Sequence, residues 1–179
     1  LTSQNHDYQI SWVGDSRAYL WSSQDDGGEL QMLSTDHSYV QMLLETGAIT
    51  EEELPNHPDR NIITQCLGSV ELDQVRVDSV RGVWEPQQWI LLCSDGLTDE
   101  LSDQEIATIL CNSNNPVNAV NQLIDAALNA GGRDNISVQV VESPLNRQSL
   151  SAKLEQWLPA LTGNIWIDAA VATTALASV

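Results

Sequence analysis

Apolar and polar residues alternate from Tyr8 to Val13, and Ala18 to Trp21 is apolar again, with Gly14-Asp15-Ser16 between the two runs. Two such runs joined by a short Gly-Asp turn predict a β-hairpin. Gln24 to Gly28 is a polar, Gly-containing turn, and Leu30 to Leu33 opens another short strand. Gln74 to Val80 alternates, with Val75, Val77 and Val80 as its apolar positions, and reads as a half-buried strand. Glu85-Pro86 marks a turn. Trp89 to Cys93 is continuously apolar, the pattern of a strand covered on both faces. Ile136 to Val141 alternates and is the last clear strand.

Helical spacing appears between these runs. Asp36 to Glu45 carries Val40, Leu43 and Leu44 and ends near Gly47, with Asp36 as the expected N-cap. Thr50-Glu51-Glu52-Glu53 has the form of a capping box and predicts a second helix start. Pro55 to Asn61 is a loop holding His57 and Arg60. Ser102-Asp103-Gln104-Glu105 is another capping box, ahead of Ile106, Ile109 and Leu110. Val117 to Leu128 repeats apolar residues at Val120, Leu123, Ile124, Ala127 and Leu128 and stops at Gly131-Gly132. Strands, helices, strands, helices and a strand in that order predict an α+β layered sandwich, not a doubly wound parallel sheet.

The pattern changes at Ser143-Pro144, so we separate residues 1–143 from a tail or linker over 144–179. Leu150, Leu154, Trp157 and Leu158 have the spacing of an amphipathic helix. Ile165 to Val179 is Ala-rich and apolar, interrupted by Asp168 and too short for a membrane span. A docking helix, a linker and the first part of a longer span all remain open for it, so a membrane role is not expected but stays open. The chain begins at Leu1 without Met and enters a strand almost at once, which reads as a truncation. On that reading the isolated chain would fold poorly, with sheet edges and core surface uncovered.

At 179 residues and 42% hydrophobic, the chain can bury a core. With 25 Asp+Glu against 7 Lys+Arg its net charge is -18. That excludes phosphate-backbone binding to nucleic acid, which needs clustered cations, and suits cation binding, although for most of these acids solubility is explanation enough. Cys66, Cys93 and Cys111 are odd in number and lack C-x-x-C spacing, so neither a disulfide framework nor a structural zinc site is expected. Cys93 reads as a buried apolar residue. A reducing, cytoplasmic setting follows. No Gly-rich nucleotide loop is present.

Three acidic turns stand beside strand-like runs: Gly14-Asp15-Ser16-Arg17, Ser94-Asp95-Gly96-Leu97-Thr98-Asp99, and Gly131-Gly132-Arg133-Asp134-Asn135. Carboxylates that converge at strand ends repel unless a cation lies between them. With so few basic residues, a hard divalent metal with oxygen ligands is the better neutraliser. Two such metals about 4 Å apart can activate water for in-line attack on a phosphoryl group. A lone Asp-Gly is most simply a turn former; three matched turns in order favour the metal site.

Five segments together resemble a known family. They are Val13-Gly14-Asp15-Ser16-Arg17-Ala18; Ser34-Thr35-Asp36-His37-Ser38; His57-Pro58 with Asn61-Ile62-Ile63-Thr64-Gln65-Cys66-Leu67-Gly68; Leu92-Cys93-Ser94-Asp95-Gly96-Leu97-Thr98-Asp99; and Gly132-Arg133-Asp134-Asn135-Ile136-Ser137-Val138. In that order they look like protein phosphatase type 2C, the PPM family of metal-dependent serine/threonine phosphatases, in a bacterial and, at Gln65 to Gly68 and Leu92 to Ser94, cyanobacterial form. The resemblance covers Tyr8 to Val141. It implies a four-layer α-β-β-α sandwich truncated at the N-terminus, with residues 1–143 as the C-terminal portion of the catalytic domain.

The resemblance also implies a site. Asp95 and Asp134 match the two acidic ligands that the C-terminal half gives to a dinuclear Mg²⁺ or Mn²⁺ centre. Asp15 matches a ligand of a third, weaker metal, with Asp99 as a further candidate beside it. Ser38 to Thr64 match a flap that influences substrate access, with His57 either a flap contact or a plain loop residue. Arg17 and Arg60 are candidates for phosphate contact, and Arg17 reads better as the structural partner of a nearby carboxylate. The family's Asp-Gly-x-Gly-Gly motif, its earlier acidic ligand, a phosphate-binding Arg and a nearby His do not occur here, and Gln65 stands where many relatives carry Arg. The implied activity is hydrolysis of phosphoserine and phosphothreonine in proteins by a metal-activated water. A non-catalytic, phosphatase-like binding module is the alternative. The expected partners are phosphorylated proteins, met by a monomer, with the tail as a possible aid to recognition.

Overall fold

The computed structural model describes residues 1–23, 27–68, 75–145 and 172–177. In chain order its elements are β1 (Thr2–Gln4), β2 (Asp7–Trp12), β3 (Arg17–Ser22), β4 (Glu29–Met32), α1 (Tyr39–Glu45), β5 (Asp78–Val83), β6 (Gln88–Cys93), α2 (Asp95–Thr98), α3 (Asp103–Asn112), α4 (Pro116–Ala130), β7 (Ile136–Glu142) and β8 (Ala172–Ala177), with a short 3-10 turn at Leu54–Asn56. Two antiparallel sheets form, one of three strands in the order β1-β2-β5 and one of five in the order β4-β3-β6-β7-β8.

Alternation within the central strands explains the layers. From β3 and β6, Tyr19, Trp21, Leu91 and Cys93 turn one way, onto Ile106 and Leu110 of α3 and Val120, Leu123 and Ala127 of α4. Their neighbours Ala18, Leu20, Ile90 and Leu92 turn the other way, onto Tyr8 and Ile10 of β2 and Trp84. Each face of the five-stranded sheet is therefore covered, as the unbroken apolar run Trp89 to Cys93 requires. The α+β class holds, and the described residues supply helix, sheet and sheet of the expected four-layer sandwich. Trp84 anchors the inter-sheet core: it meets Tyr8 edge to face at 5.1 Å, and its indole N–H donates to Ser3 Oγ at 2.9 Å.

Both long helices start at a side-chain cap, α3 at the predicted Ser102 box and α4 at Asn115. Ser102 Oγ accepts the Glu105 N–H while Glu105 accepts the Ser102 N–H, which completes the capping box of α3. Asn115 caps α4, with Pro116 in the first turn. Buried Ala119, Val120, Leu123, Ile124 and Ala127 form one stripe at helical spacing.

Several local expectations are corrected. The Tyr8–Val13 and Ala18–Trp21 runs are not a hairpin. β2 pairs with β1 and β5, whereas β3 pairs with β4 and β6, so Gly14-Asp15-Ser16 carries the chain from one sheet to the other. Helix α1 begins at Tyr39 with Ser38 as its cap, because Asp36 is held by Arg17. Thr50-Glu53 does close on itself, the Thr50 N–H donating to Glu53 Oε2 at 2.9 Å, but only the 3-10 turn follows. The strand expected from Gln74 starts at Asp78, since β2 offers partners only from Asp7 to Trp12.

In the tail, Ala172–Ala177 is neither helix nor linker but a strand along β7, from Ile136↔Ala177 to Val141↔Ala172. The open edge of β7 offers ladder groups that an extended segment can satisfy. The amphipathic pattern from Leu150 to Leu158, the polar turn at 24–26 and Gln74 lie outside the described residues. Among the described residues no helix is long and apolar enough to cross a membrane.

Candidate metal centre

The fold brings the three acidic turns to one end of the sandwich. Asp15 follows β2, Asp95 opens α2 directly after β6, and Asp134 precedes β7. Asp15, Asp95 and Asp99 line one cleft of about 200 Å³, together with Arg17, Asp36 and Arg60. Asp134 is not in that lining, but it bears on Asp95 electrostatically. Burial raises the Asp95 carboxyl above its ordinary value. Repulsion from Asp15 adds to that, its own Gly96 N–H partly offsets it, and Asp134 and Asp99 push it further up. All four predicted acids thus meet in one electrostatic neighbourhood.

The Asp95 and Asp134 turns are laced together by Ser94, Gly96, Glu100 and Arg133. Ser94 Oγ donates to Asn135 O at 3.1 Å and accepts the Ser137 N–H at 3.0 Å, while the Ser94 N–H donates to Ser137 O at 3.0 Å. Gly96 lies so close to Asn135 that a Cβ there would collide with its carbonyl group. Glu100, its side chain only 3% exposed, accepts from the Arg133 backbone N–H at 3.1 Å and from its Nε at 2.8 Å. These Arg133 contacts hold the Glu100 carboxyl below its usual range. Glu100 and Arg133 are adjacent in sequence to Asp99 and Asp134, so this clamp fixes the spacing of two candidate ligands. Removing an outer partner of a metal ligand costs about 10- to 100-fold in affinity. Glu100→Gln is therefore expected to weaken Mn²⁺ binding by roughly tenfold, read by calorimetric titration; unchanged affinity would remove Glu100 from the support of the site.

Arg17 is where the sequence placed it, as the partner of a carboxylate. Its Nη2 donates to Asp36 Oδ2 at 2.8 Å and its Nε to Oδ2 and Oδ1 at 3.0 and 3.2 Å, at the cleft wall. Burial opposes the guanidinium charge, but the Asp36 bonds more than restore it and keep Arg17 protonated. Arg60 faces Asp99 across 3.7 Å. His57 does not line the cleft: its Nδ1 accepts the Asp59 N–H at 3.1 Å and its ring meets Tyr39. Cys93, buried beneath the Asp95 turn, has its thiol pushed up to about 12 by that burial and is inert packing.

The donors are hard carboxylate oxygens that repel one another, the chemistry that suits Mg²⁺ or Mn²⁺. Among the described residues, no three His, Cys, Asp or Glu side chains are drawn in tightly enough to hold an ion by themselves. Burial of Asp95, with the repulsion of its neighbours, has a pH signature in metal-free protein. A carboxyl whose folded pKa lies above its unfolded value binds more protons when folded, so stability falls as pH rises from the ordinary Asp value through the raised Asp95 value. Denaturant titrations with chelator should show that loss. Asp95→Asn should flatten it, and a slope unchanged in the variant would place its origin elsewhere.

The chain as a whole is similar to known proteins. No protein-family model matches the chain. Protein phosphatase PhpP of Streptococcus pneumoniae is 40% identical over 129 residues, 72% of this chain and 50% of that protein. Serine/threonine phosphatase Stp1 from Staphylococcus aureus superposes with a TM-score of 0.69 at 35% identity, covering 77% of this chain and 52% of that one. The catalytic domain of the serine/threonine phosphatase PstP, solved with two manganese ions, superposes with a TM-score of 0.64 at 33% identity, over 77% and 54% of the two chains. These matches place about three-quarters of the chain in the bacterial phosphatase 2C-type, or PPM, family. The chain spans about half the length of the curated relatives it matches.

Proposed function

We propose that this chain contributes the Asp95/Asp134 side of a divalent-metal centre in a protein serine/threonine phosphatase. The observation that carries this reading is Asp95 itself, raised by burial and by three neighbouring carboxylates beside a cleft. The relatives add support: they are serine/threonine phosphatases, and one was solved with two manganese ions. We read residues 1–143 as the C-terminal portion of the catalytic domain and 144–179 as its tail.

Asp95 and Asp134 would hold the paired Mg²⁺ or Mn²⁺ ions, with Asp15 and Asp99 serving a weaker third. Bound there, the ions would supply an acidified water and charge stabilisation on a phosphoryl group. The chain's own residues do the positioning. Ser94 and Glu100 set Asp95 and Asp134 against each other, Arg17 is committed to Asp36, and Arg60, beside Asp99 in the cleft lining, is the candidate for a phosphate oxygen. The substrates on this reading are phosphoserine and phosphothreonine proteins.

The test is hydrolysis of a phosphothreonine peptide by the full-length protein, with and without Mn²⁺. Metal-dependent turnover supports the reading. Peptide binding with no turnover in any divalent metal would overturn it in favour of a phosphoprotein-binding module.

A further inference from the structure

One buried side chain ties the Asp15 turn to Thr64 and Asp78, on either side of it in the fold. His37 is 7% exposed. Its Nδ1 accepts the Gly14 N–H at 3.1 Å, and its own N–H donates to Gly14 O at 2.9 Å. Since Nδ1 accepts, the ring proton sits on Nε2, which donates to Asp78 Oδ2 at 3.2 Å. Gly14 has a φ of +109°, a conformation other residues rarely adopt, and this reciprocal pair with His37 pins it there immediately before Asp15.

The segment between His37 and Asp78 departs and returns at this ring. Beside its departure, the Thr64 N–H donates to the His37 carbonyl at 2.7 Å, and Ser38 bridges Ile63. At its return, Asp78 Oδ1 pairs with Arg76 Nε at 2.7 Å while Oδ2 takes the His37 proton. Gln65 Oε1 accepts the Arg76 N–H at 2.9 Å and joins the two ends. Leu54, Arg60 and Asn61 of this segment line the same cleft as Asp15 and Asp95. Trp12, whose indole N–H donates to Thr35 O at 2.9 Å, packs over the ring at 6.5 Å and shields it.

We propose that His37 is a positioning residue that couples residues 38–64, which help to line the cleft, to the Asp15 turn. A shift at Thr64 or at Asp78 is transmitted through the His37 carbonyl and ring to the Gly14 amide, and so to where Asp15 stands. Substrate-driven movement of the segment would in this way set the metal affinity at Asp15. The functional half of this inference rests on the reading of Asp15 as a metal-site residue; the mechanical half does not.

The experiment is amide hydrogen exchange at Gly14 in the full-length protein. Rates are read relative to the Leu91 and Val140 amides of the central sheet, so that a global loss of stability divides out. Thr64→Pro removes the donor to the His37 carbonyl. It should speed Gly14 exchange about fivefold or more, the worth of one hydrogen bond. In a His37→Ala background the added effect of Thr64→Pro should vanish, and His37→Gln, which can accept at one end and donate at the other, should restore part of it. Gly14 exchange indifferent to Thr64→Pro, or an equal response with and without His37, would overturn the coupling. Mn²⁺ titration of the same samples separates the two readings: coupling without Mn²⁺ binding keeps the His37 link and removes the metal site, and binding without coupling does the reverse.

Discussion

Asp95→Asn is expected to abolish Mn²⁺-dependent phosphatase turnover while making the metal-free protein more stable. The two effects have one cause. Asp95 is pushed toward its neutral form by burial and by Asp15, Asp134 and Asp99. Asn keeps the shape and the oxygen that accepts the Gly96 N–H at 2.9 Å, but it carries no charge for those neighbours to oppose. Without metal the substitution therefore relieves repulsion. With metal it removes an anionic ligand, a loss that should exceed the roughly 10- to 100-fold cost of disturbing an outer partner. Turnover should fall by more than about 100-fold at limiting Mn²⁺, and the chelated protein should melt at higher temperature than wild type. A variant that keeps its Mn²⁺-dependent rate cannot have lost a ligand. A variant that loses both rate and metal-free stability has lost structure, and would show Asp95 to be held by favourable contacts rather than set against repulsive ones.

The acids themselves were legible in the sequence because turn residues announce themselves locally. Asp15, Asp95, Asp99 and Asp134 each sit in a Gly- or Asn-marked turn beside an apolar run, and the sheet brings those turns together. What the sequence could not give was anything set by distant pairing. The Gly14-Asp15-Ser16 turn resembles a hairpin because alternation reports that β2 and β3 are half-buried, not which strands they join. Asp36 looked like a helix cap because Arg17, 19 residues earlier, was not visible as its partner. Glu100 was indistinguishable from any surface glutamate, since its partner Arg133 lies 33 residues away. The role of His37 is hidden for the same reason: it depends on Gly14 behind it and Asp78 ahead. Only residue types with strong local preferences reveal their work in a single sequence. Those that act by bridging elements become visible once the elements are placed.

Gly96 shows how a correct local signal can carry the wrong reason, and it yields the second large prediction. Asp-Gly suggests a sharp turn in which Gly supplies an unusual backbone angle. Gly96 is not among the residues with positive φ, and it lies in the helical turn α2, where Ala would be the better helix former. The constraint is space. A Cβ at Gly96 would collide with the Asn135 carbonyl oxygen, lie 2.9 Å from the Asn135 carbonyl carbon and press on Ile136 Cα at 3.4 Å. All three are backbone atoms and cannot rotate aside, so either the Asp95 turn or the Asp134 turn must move. Gly96→Ala should therefore cost about 1–3 kcal/mol of stability as overpacking, despite the gain in helix propensity. It should also weaken Mn²⁺ binding by about 10- to 100-fold, because the move separates two candidate ligands without altering either. Urea unfolding with chelator measures the first effect and calorimetric Mn²⁺ titration the second. Loss of stability with intact affinity would mean that the strain is absorbed away from Asp95 and Asp134. Intact stability and affinity together would mean that the close approach of the two turns is not what holds the site.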